Sequence, residues 1–90
     1  MNKKDLKKII NSLCSDAFAE CVAMSLYHGK AHATNVEALL GSISKTRTDY
    51  ISRISHPEPG MRKKEYYDHL ANSFTEQLSE IIDQISNLSE

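Results

Sequence analysis

The chain has 90 residues, of which 40% are hydrophobic and 26% charged, and its formal net charge is −1. A chain of this length forms one domain, residues 1–90, and folding buries only about 60–65% of its unfolded surface. The near-neutral charge gives no overall signal for DNA or membrane binding. No apolar run approaches the roughly 18 residues that a bilayer span requires, and the charged start MNKKDLKK gives no secretory signal. We therefore expect no membrane contact.

Cys14 and Cys21 lie about 10 Å apart along a helix that contains both. A disulfide requires Cα atoms within roughly 7 Å, so such a helix excludes a bond between them. Two cysteines are also too few for a disulfide scaffold. A reduced, cytoplasmic protein is expected, with both thiols serving as small core residues.

The first predicted helix covers residues 3–28, and Gly29 is expected to end it. Its apolar residues recur three and four positions apart along one face and spread onto a flank. The face contains Leu6, Ile10, Leu13, Ala17, Cys21, Met24 and His28, and the flank contains Ile9, Cys14, Phe18, Val22 and Leu26. Between residues 13 and 27 only Asp16 and Glu20 form a polar strip, so this stretch has to be covered on more than one side.

The second predicted helix covers residues 35–55. Thr34 and Glu37 form a capping box, in which each side chain accepts a hydrogen bond from the other residue's backbone amide. Gly41 lies inside this helix at a cost of roughly 1 kcal/mol relative to alanine. Close approach of another helix is its simplest explanation.

Arg47 lies on the apolar stripe of the second helix, and two interpretations of it stay open. Its methylene stem can cover the core while the guanidinium reaches water or one acid. Alternatively, it forms a buried ion pair with Asp16 or Asp68 that fixes the helix register.

The third predicted helix covers residues 61–88 and follows the turn that contains Pro57 and Pro59. Its inner seam is predicted to contain Tyr67, Leu70, Phe74, Leu78, Ile81, Ile85 and Leu88, with Ile82 beside it. Short connections between long helices favour antiparallel neighbours. The sequence therefore predicts an all-α, up-down-up three-helix bundle, and we expect two such bundles to pair as a homodimer.

The charges separate strongly along the chain. Residues 1–9 carry four lysines against one aspartate, whereas residues 65–90 carry six acids and no lysine or arginine. In the predicted bundle the bases gather at one end, which we call the basic pole: Lys3, Lys4, Lys7, Lys8, Arg53, Arg62, Lys63 and Lys64. We expect five ring side chains beside it: Tyr50, His56, Tyr66, Tyr67 and His69. Basic side chains interleaved with rings are typical of phosphate contact combined with base stacking.

No nucleophile elbow, phosphate loop or metal motif is present in the sequence, so we expect no enzyme, no cofactor and no bound metal. The leading hypothesis is a helical interaction protein that self-associates or docks a protein partner through the first helix. Its predicted interface consists of Cys14, Phe18, Ala19, Val22 and Ala23. A two-fold dimer is the commonest homo-oligomer. The alternative is nucleic-acid or polyanion binding at the basic pole, with Lys4, Lys8, Arg53, Arg62, Lys63, Lys64 and Tyr66 as contacts.

Overall fold

The computed structural model of the protein describes residues 2–28 and 33–88 and contains three helices. They are α1 (Lys3–His28), α2 (Ala33–Ser55) and α3 (Lys63–Asn87). Each helix contacts the other two, and together they form a rod of 47 × 17 × 16 Å. Within the described residues there is no strand. The predicted all-α three-helix bundle is confirmed.

Two hydrogen bonds set the register of α1 against α2. The Nε of Arg47 donates to the Oδ1 of Asn11 over 2.7 Å. About three turns further along α1, the thiol of Cys21 lies 3.9 Å from the carbonyl oxygen of Val36. Residue numbers rise along α1 as they fall along α2, so the two helices are antiparallel.

A second set of hydrogen bonds joins α2 to α3. The Tyr66 hydroxyl donates to the carbonyl oxygens of Arg53 and His56, at 2.9 and 3.3 Å. The hydroxyls of Tyr50 and Ser73 lie 2.7 Å apart. These pairs make α3 antiparallel to α2 and therefore parallel to α1, as expected for up-down-up topology.

The core consists of one line of side chains from each helix. On α1 the buried line is Leu6, Ile10, Cys14, Ala17 and Cys21. On α2 it is Val36, Leu39, Ile43, Tyr50 and Ile54, and on α3 it is Tyr66, Tyr67, Leu70, Phe74, Leu78, Ile81 and Ile85, with Leu88 just beyond the helix. Leu13, expected on the core face, is instead exposed. Steps of four, four, three and four residues carry the buried line past Leu13, and Cys14 points inward.

Three details of the predicted helices are corrected. Because α2 begins at Ala33, Thr34 lies within its first turn and is not the N-cap that the predicted capping box with Glu37 requires. A Cβ added at Gly41 would meet no described atom within 4 Å, so neither α1 nor α3 approaches closely there. The third helix begins at Lys63, two residues later than predicted. The predicted stop at Gly29 lies outside the described residues.

Candidate functional site

An uncovered apolar surface lies on the C-terminal half of α1. We call it the α1 apolar face, and it consists of Phe18, Ala19, Val22, Ala23 and Leu26, all of which are exposed. The exposed fraction is 41% for Phe18, 37% for Val22 and 81% for Leu26. At about 100° per residue, these positions span about 140° of the helix circumference. Asp16 and Glu20 fall outside this sector, so within it no charge interrupts the apolar surface.

Four of the five residues of the predicted interface lie on this face, and the fifth does not. Cys14 is 2% exposed and packs in the core, because it continues the buried line of Ile10 and Ala17. It is therefore not available at the surface to a partner. Leu26 belongs to the face but was not part of the predicted interface. Its position four residues after Val22 was the sequence signal for it.

The apolar surplus of α1 is divided between two flanks. Ile9 and Leu13 are also exposed, but they lie on the opposite side of the buried line from Phe18 and Val22. They therefore do not extend the α1 apolar face. A partner that covers Phe18 and Val22 therefore leaves Ile9 and Leu13 exposed to solvent.

By length and composition, α1 is also apolar enough to cross a membrane, over Lys3–Tyr27. This corrects the expectation that no segment of the chain meets that standard. Core helices of globular proteins and signal sequences have the same length and composition. These two properties therefore do not assign α1 to a membrane or to any other location. Asp16 and Glu20 lie within the span, and a carboxylate at the middle of a bilayer costs roughly 2.5–3.5 kcal/mol on insertion scales.

The basic pole is assembled by the helix register. Asn11 and Arg47 lie at the same level, so two turns towards the start of α1 Lys4 lies at about the level of Arg53. The Tyr66 hydroxyl ties the start of α3 to the last turn of α2. The first turns of α1 and α3 therefore lie beside the end of α2.

The tyrosine rings of the basic pole are not available for base stacking. Tyr50, Tyr66 and Tyr67 are all buried, and Tyr66, predicted as an anion contact, has its hydroxyl bound to two backbone carbonyls. Arg53 already pairs with Asp49 at 3.1 Å, with both side chains about half exposed, and its guanidinium lies 5.0 Å from the centre of the Tyr50 ring. This pole therefore offers charge and two exposed imidazole rings, and its tyrosine rings are buried.

Arg47 borders a groove between α1 and α2, and its partner differs from both predicted ones. The groove has a volume of about 430 Å³ and is lined by Asn11, Cys14, Ser15, Phe18, Ile43, Ser44 and Arg47. The guanidinium binds the side-chain amide oxygen of Asn11. Among residues 2–28 and 33–88, no carboxylate lies within ion-pair distance of it. The buried ion pair with Asp16 or Asp68, one of the two interpretations of Arg47, is therefore wrong, and the Arg47 side chain is exposed to water.

Both thiols are free and lie in the core. Burial raises the pKa of Cys14, and the nearby charge of Arg47 partly offsets that rise. Burial alone raises the pKa of Cys21. Both cysteines are therefore held as neutral thiols, and they serve as small core residues.

The described part of the chain brings no three His, Cys, Asp or Glu side chains together in a way that could hold a metal ion. None of the protein-family models, curated protein sequences or solved structures compared with the chain matches it.

Proposed function

We propose that this protein is a non-catalytic helical interaction protein that self-associates as a dimer through the α1 apolar face, in the reducing cytoplasm. The observation that carries the proposal is the exposure of Phe18, Val22 and Leu26 on one uncharged sector of α1. Removing apolar surface from water contributes about 25 cal/mol per Å². Contiguous apolar surface on a small domain is typical of a protein interaction site.

The small residues of the face favour another helix as the covering element. Ala19 and Ala23 are one turn apart and present only methyl groups, so a second helix can approach closely beside the larger Phe18 and Val22. A two-fold axis would place the same face on both partners, which makes the interface self-complementary.

The charge separation favours an antiparallel second copy. The start of α1 is lysine-rich, whereas α3 carries acids toward its end, including Glu80 and Asp83. The α1 apolar face lies in the C-terminal half of α1, so an antiparallel pair centred on Val22 holds the two basic poles at opposite ends of the dimer. This arrangement keeps the like charges apart, and such charge placement acts mainly on specificity and on association rate.

Sedimentation equilibrium from low to high micromolar concentration tests the proposal. The wild-type mass should rise from the monomer value of 10.1 kDa towards twice that value. Val22→Glu places a charge in the middle of the face and should keep the protein monomeric with its helix content unchanged. Thr48→Glu is the matched control, because Thr48 is exposed on α2, and it should dimerise like the wild type.

Two results would contradict self-association through this face. One is a wild-type protein that stays monomeric at high micromolar concentration. The other is a Val22→Glu variant that dimerises as strongly as Thr48→Glu.

A second candidate function is polyanion binding at the basic pole, favoured by the register that brings the lysines of α1 to the level of Arg53. Since the neighbouring tyrosine rings are buried, the contacts would be to phosphates. Binding of a short fluorescent DNA duplex should then weaken steeply as salt rises. The double variant Lys63→Glu, Lys64→Glu should bind more weakly than Lys45→Glu. Absence of binding at low salt would eliminate this candidate.

A further inference from the structure

The groove between α1 and α2 combines an apolar wall with a cation, Arg47, that has no acidic partner among residues 2–28 and 33–88. We propose that this groove binds a small organic carboxylate with an apolar tail, and that Arg47 contacts the carboxylate. This site goes beyond self-association, because its recognising group lies on α2, although the groove shares Phe18 with the α1 apolar face.

The hydrogen bond to Asn11 prepares Arg47 for an anion. A guanidinium has five N–H donors in a planar fork that matches a carboxylate. The Nε donor is held by Asn11 at 2.7 Å, which fixes the plane of the group. Within residues 2–28 and 33–88, no carboxylate lies within ion-pair distance of the two terminal amino groups. A group oriented in advance loses less conformational freedom when it binds.

The rest of the groove suits an apolar tail. Phe18 and Ile43 supply apolar wall, and the hydroxyls of Ser15 and Ser44 supply further hydrogen-bonding groups near Arg47. Small-molecule sites are mostly apolar with a few polar groups, and they occupy about 300–1,000 Å³. The volume of about 430 Å³ lies inside that range.

Three other grooves of the described bundle lack this combination. One between α2 and α3, near Asn35 and Gln84, has no cation in its lining. Another contains Lys45 together with the carboxylates of Asp49 and Glu80. The third contains Arg53, which already pairs with Asp49.

The positive charge of Arg47 acts on another side chain of its own groove. It opposes the effect of burial on the pKa of Cys14, whose side chain forms part of the groove lining. A carboxylate held there would meet the same positive field.

The experiment is an amide NMR titration of the full chain with sodium octanoate and, separately, with the uncharged 1-octanol. It is done at a protein concentration at which sedimentation shows only the 10.1 kDa monomer, so that self-association does not contribute. Octanoate should shift the signals of the groove residues and should bind more tightly than octanol. Arg47→Met keeps an apolar stem without the charge, and it should weaken octanoate binding about tenfold or more.

Lys45→Met is the matched control, because it removes a cation from another face of α2, and it should leave octanoate binding unchanged. Equal affinity for octanoate and octanol in the wild type would overturn the proposal without any variant. Unchanged octanoate binding in Arg47→Met would also overturn it, as would shifts confined to residues outside the groove. Self-association can fail while the octanoate result stands, because sedimentation and NMR report on the two proposals separately.

Discussion

The hydroxyl oxygens of Tyr50 and Ser73 lie 2.7 Å apart and join α2 to α3 inside the bundle. Tyr50 is completely buried, and its ring packs edge to face on Phe74 with centroids 5.4 Å apart. A buried hydroxyl without a hydrogen-bond partner destabilises a protein. The hydrogen bond to Ser73 therefore allows a tyrosine to be buried at position 50. It also allows only one register of α2 against α3 at this level.

Removing either hydroxyl should lower the free energy of unfolding, and the losses from the two single variants should not add up in the double variant. Tyr50→Phe should cost about 0.5–1.5 kcal/mol, whereas Ser73→Ala leaves the buried Tyr50 hydroxyl unpaired and should cost about 1–3 kcal/mol. The double variant should cost less than the sum of the two. Urea unfolding followed by circular dichroism measures all three, and strict additivity would show that the bond contributes nothing.

Gly41→Ala should stabilise the protein by about 0.5–1 kcal/mol, because alanine reduces the freedom of the unfolded chain. Gly41 lies in the interior of α2, and a Cβ there has open space around it. A rise in the urea midpoint with an unchanged slope is the expected result. A loss of stability would mean that some contact, such as a second chain, needs the glycine. Ser42→Ala, at the next exposed position, serves as the comparison.

The sequence predicted α3 best because its apolar residues form one narrow stripe. Tyr67, Leu70, Phe74, Leu78, Ile81 and Ile85 were all expected on its inner seam, and all are buried. The polar residues between them leave only one way to turn the helix. Here periodicity alone was enough to identify the buried side.

In α1 the periodicity of apolar residues does not identify every buried position, because apolar residues go almost all the way round the helix. Leu13 and Cys14 were both compatible with a buried line, and only packing against α2 and α3 selects Cys14. The sequence also does not predict the hydrogen-bond partner of Arg47. Its contact with Asn11 depends on the relative height of two helices to within one turn, and no local pattern in the sequence encodes that height.

The two phenylalanines should respond very differently to truncation. Phe74 is 1% exposed, so Phe74→Ala should cost about 3–5 kcal/mol and unfold so small a domain. Phe18 is partly exposed, so Phe18→Ala should cost the monomer clearly less while weakening self-association. Thermal unfolding at low concentration gives the first quantity, and sedimentation gives the second. An equal loss of monomer stability in both variants would show that Phe18 belongs to the core.

The buried thiols should make stability fall at alkaline pH. Burial raises the pKa of Cys14 and Cys21 in the folded state, so above the pKa of a free thiol, about 8.5, the folded chain holds more protons than the unfolded one. The contribution of the two buried thiols to the free energy of unfolding is complete below the pKa of a free thiol, and it is lost as the pH rises beyond that value. The double variant Cys14→Ala, Cys21→Ala provides the reference, because its packing loss does not depend on pH. With a reductant present, the stability difference between wild type and variant should narrow from about pH 7 to about pH 9.5. A difference that is constant with pH would show that neither thiol is held neutral by the fold.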